Sequence, residues 1–165
     1  MFRIEVLKVD QAMQSIVLKN DASDTFAIIS MKNGANVECL KFDGVDVIQH
    51  PKQSDYAQNF ASAILFPFTN RIEHGVYTFK NQSYQLDCNK AGDINAIHGL
   101  VHDKFFELVE SDEASDYAKV TLRHIENQPN VGFPFKYQID VNYTLFKATF
   151  KIDIRVTNFD NSEFP

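Results

Sequence analysis

The sequence predicts an all-β fold in which antiparallel strands pack as a sandwich. Apolar and polar residues alternate with a period of two in many short segments, turn residues separate those segments, and no window of real length has a helical period. Many short strands separated by turns are typical of sandwiches, because each strand buries one face. The 165 residues suffice for one core of ordinary size.

The N-terminal third contains five predicted strands. They cover residues 2–9, 15–19, 25–31, 37–42 and 45–49. Asp43-Gly44 stands between the last two and is a strong hairpin signal, since both residue types accept the positive φ of a tight turn. The polar stretch 51–59 is expected to be a loop with a helical turn.

The middle of the chain has weaker strand signals. They cover residues 76–79, 83–87, 105–110 and 117–124. Asn81-Gln82 and Gly92-Asp93 supply turns. His124 continues the alternation of Val120 and Leu122, which predicts a hydrogen-bonded core histidine.

The strongest pattern is a predicted hairpin of residues 137–145 and 150–156, joined across the short gap 146–148. Its apolar residues alternate with polar ones throughout both strands. A last strand with so regular a pattern leaves an open sheet edge unless something pairs with it.

Composition excludes several classes of partner. The net charge is −6 and no Lys/Arg cluster occurs, so no nucleic-acid partner is predicted. The N-terminus lacks the apolar segment of a signal peptide, and the longest apolar stretch, 63–68, is too short to span a bilayer, so no membrane partner is predicted. Cys39 and Cys88 are expected to be buried free thiols of a cytoplasmic protein.

Two polar groups stand out against this apolar background. Asn70-Arg71 follows the apolar run 63–68, and the rigid fork of an arginine suits bidentate bonding to neighbouring hydroxyls. His98-Gly99 combines a proton carrier with a residue that permits a sharp turn. On these residues alone, a structural arginine and a turn histidine remain the simpler interpretations.

His98 and His102 have a spacing that suits a metal only on a helix. Gly99 and the extended context argue against a helix there, and no third ligand is evident. No metal site is therefore predicted.

Several blocks of the sequence resemble, in order, motifs of the aldose 1-epimerase (galactose mutarotase) family. They are Leu65-Phe66-Pro67-Phe68-Thr69-Asn70-Arg71-Ile72, Gly75-Val76-Tyr77-Thr78-Phe79 with Tyr84-Gln85-Leu86, Asn95-Ala96-Ile97-His98-Gly99, Gly132-Phe133-Pro134-Phe135 with Tyr143-Thr144-Leu145, and Thr157-Asn158. Taken together and in this order, these blocks are specific to the family. Leu100 departs from the pattern, because many members carry a further glycine there, and the family often places Trp near Phe105-Phe106.

The resemblance implies a galactose-mutarotase-like β-supersandwich that interconverts the α and β anomers of a free aldose such as galactose or glucose. Acid/base catalysis opens and recloses the sugar ring, and no cofactor is needed. Arg71 and His98 match family positions that contact the sugar. His98 is expected to act catalytically as a hydrogen-bond donor near the ring oxygen, and Asn70 to contact the sugar or to hold Arg71.

The resemblance covers the N-terminal part of the family pattern. A histidine in an H-P-Y-F segment, a sugar-binding Asp and a late Glu base are absent, so residues 1–165 are expected to be the N-terminal portion of one mutarotase-like domain with little activity alone. Two alternatives stay open. One is a non-catalytic carbohydrate-binding module of the same fold. The other is a structural fragment that forms a homo-oligomer through its open sheet edge.

Overall fold

The computed structural model describes residues 1–9, 12–49, 59–89 and 92–165. The first sheet contains five antiparallel strands in chain order. They are β1 (Phe2–Val9), β2 (Ala12–Asn20), β3 (Thr25–Ser30), β4 (Val37–Phe42) and β5 (Val45–Gln49). The predicted Asp43-Gly44 hairpin is confirmed, with φ of 45° and 84° at the two residues. The expected helical turn at 51–59 lies outside the described residues, except for Asn59.

Two small ribbons follow the first sheet. β6 (Arg71–Ile72) pairs with β9 (Ala96–Ile97), and β7 (Val76–Phe79) pairs with β8 (Gln82–Gln85). A 3-10 turn at Glu73–Gly75 joins β6 to β7. The sequence did not predict β6 or β9, because two-residue strands are too short to show a period.

The second large sheet contains four antiparallel strands. They are β10 (Glu107–Glu113), β11 (Tyr117–Glu126), β12 (Tyr137–Phe146) and β13 (Phe150–Asn158). The predicted terminal hairpin is confirmed as β12 and β13. The predicted strand at 105–110 begins two residues later, because the N–H of Phe106 donates to Met31 O at 2.8 Å and ties that segment to the first sheet.

The core lies between the two large sheets. Ile16, Leu18 and Ile29 from the first sheet and Leu122 and Val141 from the second are fully buried. Burial of each such side chain contributes about 1.5–3 kcal/mol, so this layer is the main source of stability. The predicted hydrogen bond of His124 is present, with Nδ1 3.1 Å from Phe105 O, but the side chain is half-buried and not part of the buried core.

One prediction about the cysteines was wrong. Both are free, but Cys88 is exposed and Cys39 is only partly buried. Cys88 lies in the segment after β8, beyond the core, and its thiol donates to Ile94 O at 3.1 Å. Within the described residues, no helix has the length and apolar character needed to cross a bilayer.

Candidate functional site

The β6–β9 ribbon brings together the three residues singled out in the sequence. Arg71 lies opposite Ile97 in the register, and the N–H of His98 donates to Asn70 O at 3.1 Å. Residues separated by 27 positions along the chain therefore become neighbours through one pair of short strands. Arg71 is exposed and His98 is partly exposed, so both are open to a ligand.

The backbone at His98 adopts an uncommon conformation. Its φ is +60°, in the left-handed region, and Gly99 follows with φ +73°. A Cβ at Gly99 would lie 2.2 Å from Phe66 O, so the residue must be glycine. The N–H of Leu100 donates to the same carbonyl at 2.7 Å. The segment at Phe66 thus supports the turn that carries His98.

The imidazole of His98 is held by one of its nitrogens. Nδ1 lies 3.0 Å from Thr69 O, and because a carbonyl only accepts, Nδ1 carries the proton. In the neutral ring Nε2 is then an acceptor, and it becomes a donor only in the imidazolium form. The ring of Phe60 packs edge-on against His98, with centroids 4.7 Å apart.

Arg71 is oriented by a carboxylate. Its Nε donates to Asp93 Oδ2 at 3.2 Å, while Asp93 Oδ1 accepts from the backbone N and the Nδ2 of Asn95 at 3.0 and 2.8 Å. The Asn95 hydrogen bond, aided by Arg71, lowers the pKa of Asp93 and keeps it ionised. No described residue hydrogen-bonds Nη1 or Nη2 of Arg71, which leaves them available to a ligand.

Asn89 supports the other side of the ribbon. Its Oδ1 accepts from the N–H of Ile97 at 2.8 Å, and its Nδ2 donates to Ile97 O at 2.7 Å and to Gly99 O at 3.3 Å. One side chain thus pairs with β9 much as a neighbouring strand would. The carboxamide of Asn95 also accepts from the N–H of His74 at 3.0 Å.

Sequence reasoning missed the roles of Asp93 and Asn89. Asn70 makes no side-chain hydrogen bond to Arg71, so among the described residues Asp93 holds the guanidinium. The Asp93-x-Asn95 spacing was a usable signal, because Asp side chains often bond the backbone two residues on. Nothing in the sequence pattern indicated that Asn89 supports β9.

An apolar groove of about 110 Å³ lies beside the ribbon. Ile72 of β6 and Tyr77 of β7 contribute to its wall. Burial raises the pKa of Tyr77 to about 12, and its hydroxyl donates to Gly132 O at 2.9 Å. Tyr77 is therefore a neutral wall residue rather than a base.

The segment from His98 to His102 is not helical, as the sequence predicted. The rings of both histidines pack against Phe60. No group of three or more His, Cys, Asp or Glu side chains within the described ranges is arranged to hold a metal ion.

The chain matches a family profile over most of its length. The family profile "Aldose 1-epimerase" matches residues 14–165. The uncharacterized protein YihR of Escherichia coli is 31% identical over 112 residues, which cover 68% of this chain and 35% of YihR. The matched segment is thus about a third of that relative.

Two solved structures share the fold. A galactose mutarotase-like protein from Clostridium acetobutylicum superposes with a TM-score of 0.78 at 24% identity, covering 95% of this chain and 49% of that one. Galactose 1-epimerase from Lactobacillus acidophilus superposes with a TM-score of 0.74 at 20% identity, covering 96% and 48%. These superpositions confirm the predicted galactose-mutarotase-like fold, and the chain spans about half the length of either structure.

Proposed function

The chain belongs to the aldose 1-epimerase family, and from that premise we propose that Asn70, Arg71 and His98 form part of a sugar site. One observation carries the proposal: Arg71 begins β6 and His98 directly follows β9, so the two residues are close along the backbone, and one nitrogen of each side chain is held by the protein. The Nη atoms of Arg71 and the Nε2 of His98 have no hydrogen-bond partner among the described residues. A guanidinium fork and an imidazole nitrogen are groups that suit sugar hydroxyls.

The activity we propose for the whole protein is interconversion of the α and β anomers of a free hexose such as galactose or glucose. A base removes the proton of the anomeric hydroxyl and an acid protonates the ring oxygen, so the ring opens and recloses. His98 donates to the ring oxygen only as the imidazolium, since Thr69 O occupies its Nδ1–H in the neutral form. Arg71 donates hydrogen bonds to the sugar hydroxyls and so holds the sugar in one orientation.

We propose that this chain alone binds sugar without exchanging anomers. The carboxylate of Asp93 is engaged by Arg71 and Asn95, which leaves it poorly placed to act as a base. That observation favours the second candidate function, a carbohydrate-binding module, for the isolated chain. The two free cysteines are consistent with a cytoplasmic location for the protein.

The binding test is an NMR titration of the 165-residue chain with D-galactose and with D-glucose. We expect saturable shifts at the His98 and Arg71 signals, and their loss in Arg71→Ala. Arg3→Ala is the matched control, since Arg3 is also an exposed arginine whose Nε contacts a carboxylate, that of Asp21. No binding by the wild-type chain, or equal binding by both variants, would contradict the proposed site.

The catalytic test is polarimetry of fresh α-D-galactose and α-D-glucose with the chain and with buffer alone. A rate equal to that of buffer is expected. A rate above buffer that Arg71→Ala abolishes would show that the chain supplies its own base, contrary to the binding-only proposal.

A further inference from the structure

The core-facing row of β11 changes character at the end of the strand. Its first members, Ala118, Val120 and Leu122, are fully buried apolar residues. Side chains alternate along a strand, so His124 and Glu126 continue the same row with two titratable groups. A carboxylate on the core-facing side of a sheet is costly to bury without a partner. A polar space should therefore begin where the apolar row ends.

A cavity of about 170 Å³ lies at this end of the row. Its wall includes the polar residues Lys104, Glu126 and Gln128 and the apolar residues Leu100 and Phe133. All of its wall residues lie between positions 100 and 137, well inside the chain. A cavity of roughly 150 Å³ accepts a benzene ring, so this one has room for a single six-membered ring.

Tyr137 brings a buried hydroxyl to the cavity. This residue lies directly opposite Glu126 in the register of β11 and β12, lines the cavity and is only 1% exposed. Its hydroxyl forms no hydrogen bond with a described residue, whereas the hydroxyls of Tyr77 and Tyr143 donate to backbone carbonyls. Burial raises the pKa of Tyr137, and the charge of Glu126 raises it further, so the hydroxyl keeps its proton. Buried tyrosine hydroxyls are usually paired, so a partner for this one is expected inside the cavity.

The two charges in the cavity wall do not pair with each other. Among the described residues, Lys104 Nζ approaches only Asp103, at 4.0 Å, and Glu126 forms no ion pair. Glu126 Oε1 accepts from the N–H of Gln128 at 2.9 Å. A charged ligand would meet a like charge whatever its sign. A hydroxyl, by contrast, both accepts from Lys104 and donates to Glu126.

We infer that this cavity is a second binding site, which takes one neutral six-membered ring with several hydroxyls, such as a pyranose or a cyclitol. Glu126 accepts from the hydroxyls of the ring, while Lys104 and the hydroxyl of Tyr137 donate to their oxygens. The C–H groups of such a ring are apolar and pack against Phe133, as apolar walls do in most small-molecule sites.

The inferred site goes beyond the proposed sugar site and does not depend on it. None of Asn70, Arg71 and His98 lines the cavity. The two sites are therefore read by different residues and can fail separately in the same experiment.

The first test is an NMR titration of the 165-residue chain with myo-inositol, D-glucose and L-leucine. Myo-inositol has no anomeric carbon, so its binding is independent of anomer exchange. Both polyols should produce saturable shifts at the amides of Lys104, Glu126, Gln128 and Tyr137, and L-leucine should produce none. The same shifts should persist in Arg71→Ala.

The second test separates binding from stability with two tyrosines. Tyr137→Phe removes a hydroxyl that has no partner in the described structure, so the urea midpoint should not fall. The Kd for myo-inositol should nevertheless rise about three- to tenfold, the value of one hydrogen bond. Tyr143→Phe is the matched control with the opposite result. It removes a hydroxyl that donates to Ala35 O, so the midpoint should fall while the Kd stays unchanged.

Glu126→Gln keeps the size of the side chain and should raise the Kd about tenfold or more, because hydrogen bonds to a charged group are stronger. Absence of shifts at the four amides, or equal Kd values in wild type and Tyr137→Phe, would overturn the inferred site and leave the proposed sugar site untouched. A lower urea midpoint in Tyr137→Phe would show that the protein itself pairs the hydroxyl, which also contradicts the inference. Binding of L-leucine instead of the polyols would overturn the class of ligand.

Discussion

Gly99 is the residue on which the geometry of the site depends most. Its φ is +73°, and an added Cβ would lie only 2.2 Å from Phe66 O, so Gly99→Ala should destabilise the fold by about 3 kcal/mol or more. Gly92→Ala is the matched control: φ is +78°, but no described residue lies within 4 Å of an added Cβ, so about 1 kcal/mol is expected. Urea unfolding measures both, and equal losses would refute the steric argument.

His124 should make stability depend on pH. Burial lowers the pKa of its imidazole, and its Nε2 is buried without a hydrogen-bond partner in the described structure. The folded chain therefore binds this proton more weakly than the unfolded chain, whose histidines titrate near pH 6.5. The contribution of His124 is complete above that pH and is lost as the pH falls through the lower folded pKa.

The measurement is the free energy of unfolding between about pH 7.5 and about pH 5. We expect it to fall with pH in the wild type and to fall less in His124→Gln. The hydrogen bond to Phe105 O and the negative charges of Glu126 and Asp103 oppose this lowering of the pKa, while the positive charge of Lys104 reinforces it. Burial also lowers the pKa of His102, so the free energy of unfolding of the variant should still depend somewhat on pH. If the free energy of unfolding changed with pH equally in wild type and variant, His124 would be excluded as a source of the pH dependence.

At the scale of elements, Asn89 substitutes for a strand beside β9. Asn89→Ala removes its hydrogen bonds to Ile97, so we expect a loss of about 1 kcal/mol and faster hydrogen exchange at the Ile97 amide. Asn127→Ala, at an exposed position in the turn after β11, should change neither quantity. Unchanged protection at Ile97 would show that β6 alone holds β9.

The long strands could be predicted and the short ones could not, for a physical reason. Apolar and polar residues alternate over the nine or ten residues of β12 and β13, which is long enough for the period to show in the sequence, although only β12 is buried. β6 and β9 are two residues each and exist because distant segments meet. The Arg71–Asp93 pair spans 22 positions with no periodic signal, so only the resemblance in the Asn-Arg and His-Gly blocks marked the site.

The whole molecule should unfold as one cooperative unit. One continuous core includes residues of both large sheets, and the hydroxyl of Tyr143 in β12 donates to Ala35 O between β3 and β4. Tyrosine fluorescence and far-ultraviolet circular dichroism should therefore report the same urea midpoint. Tyr143→Phe should lower that midpoint at a cost of about 1–2 kcal/mol without separating the two signals. Two separate transitions would mean that the sheets fold independently.

The position of the β6–β9 ribbon outside both sheets has an evolutionary consequence. Arg71 is exposed, so replacing it costs the fold little, and the fold itself does not restrict this position. His98 is more constrained, because φ of +60° is accepted readily only by glycine, asparagine and aspartate besides histidine. The fold should therefore restrict position 98 of divergent members with this ribbon to that small set, whereas only the proposed ligand contact restricts position 71.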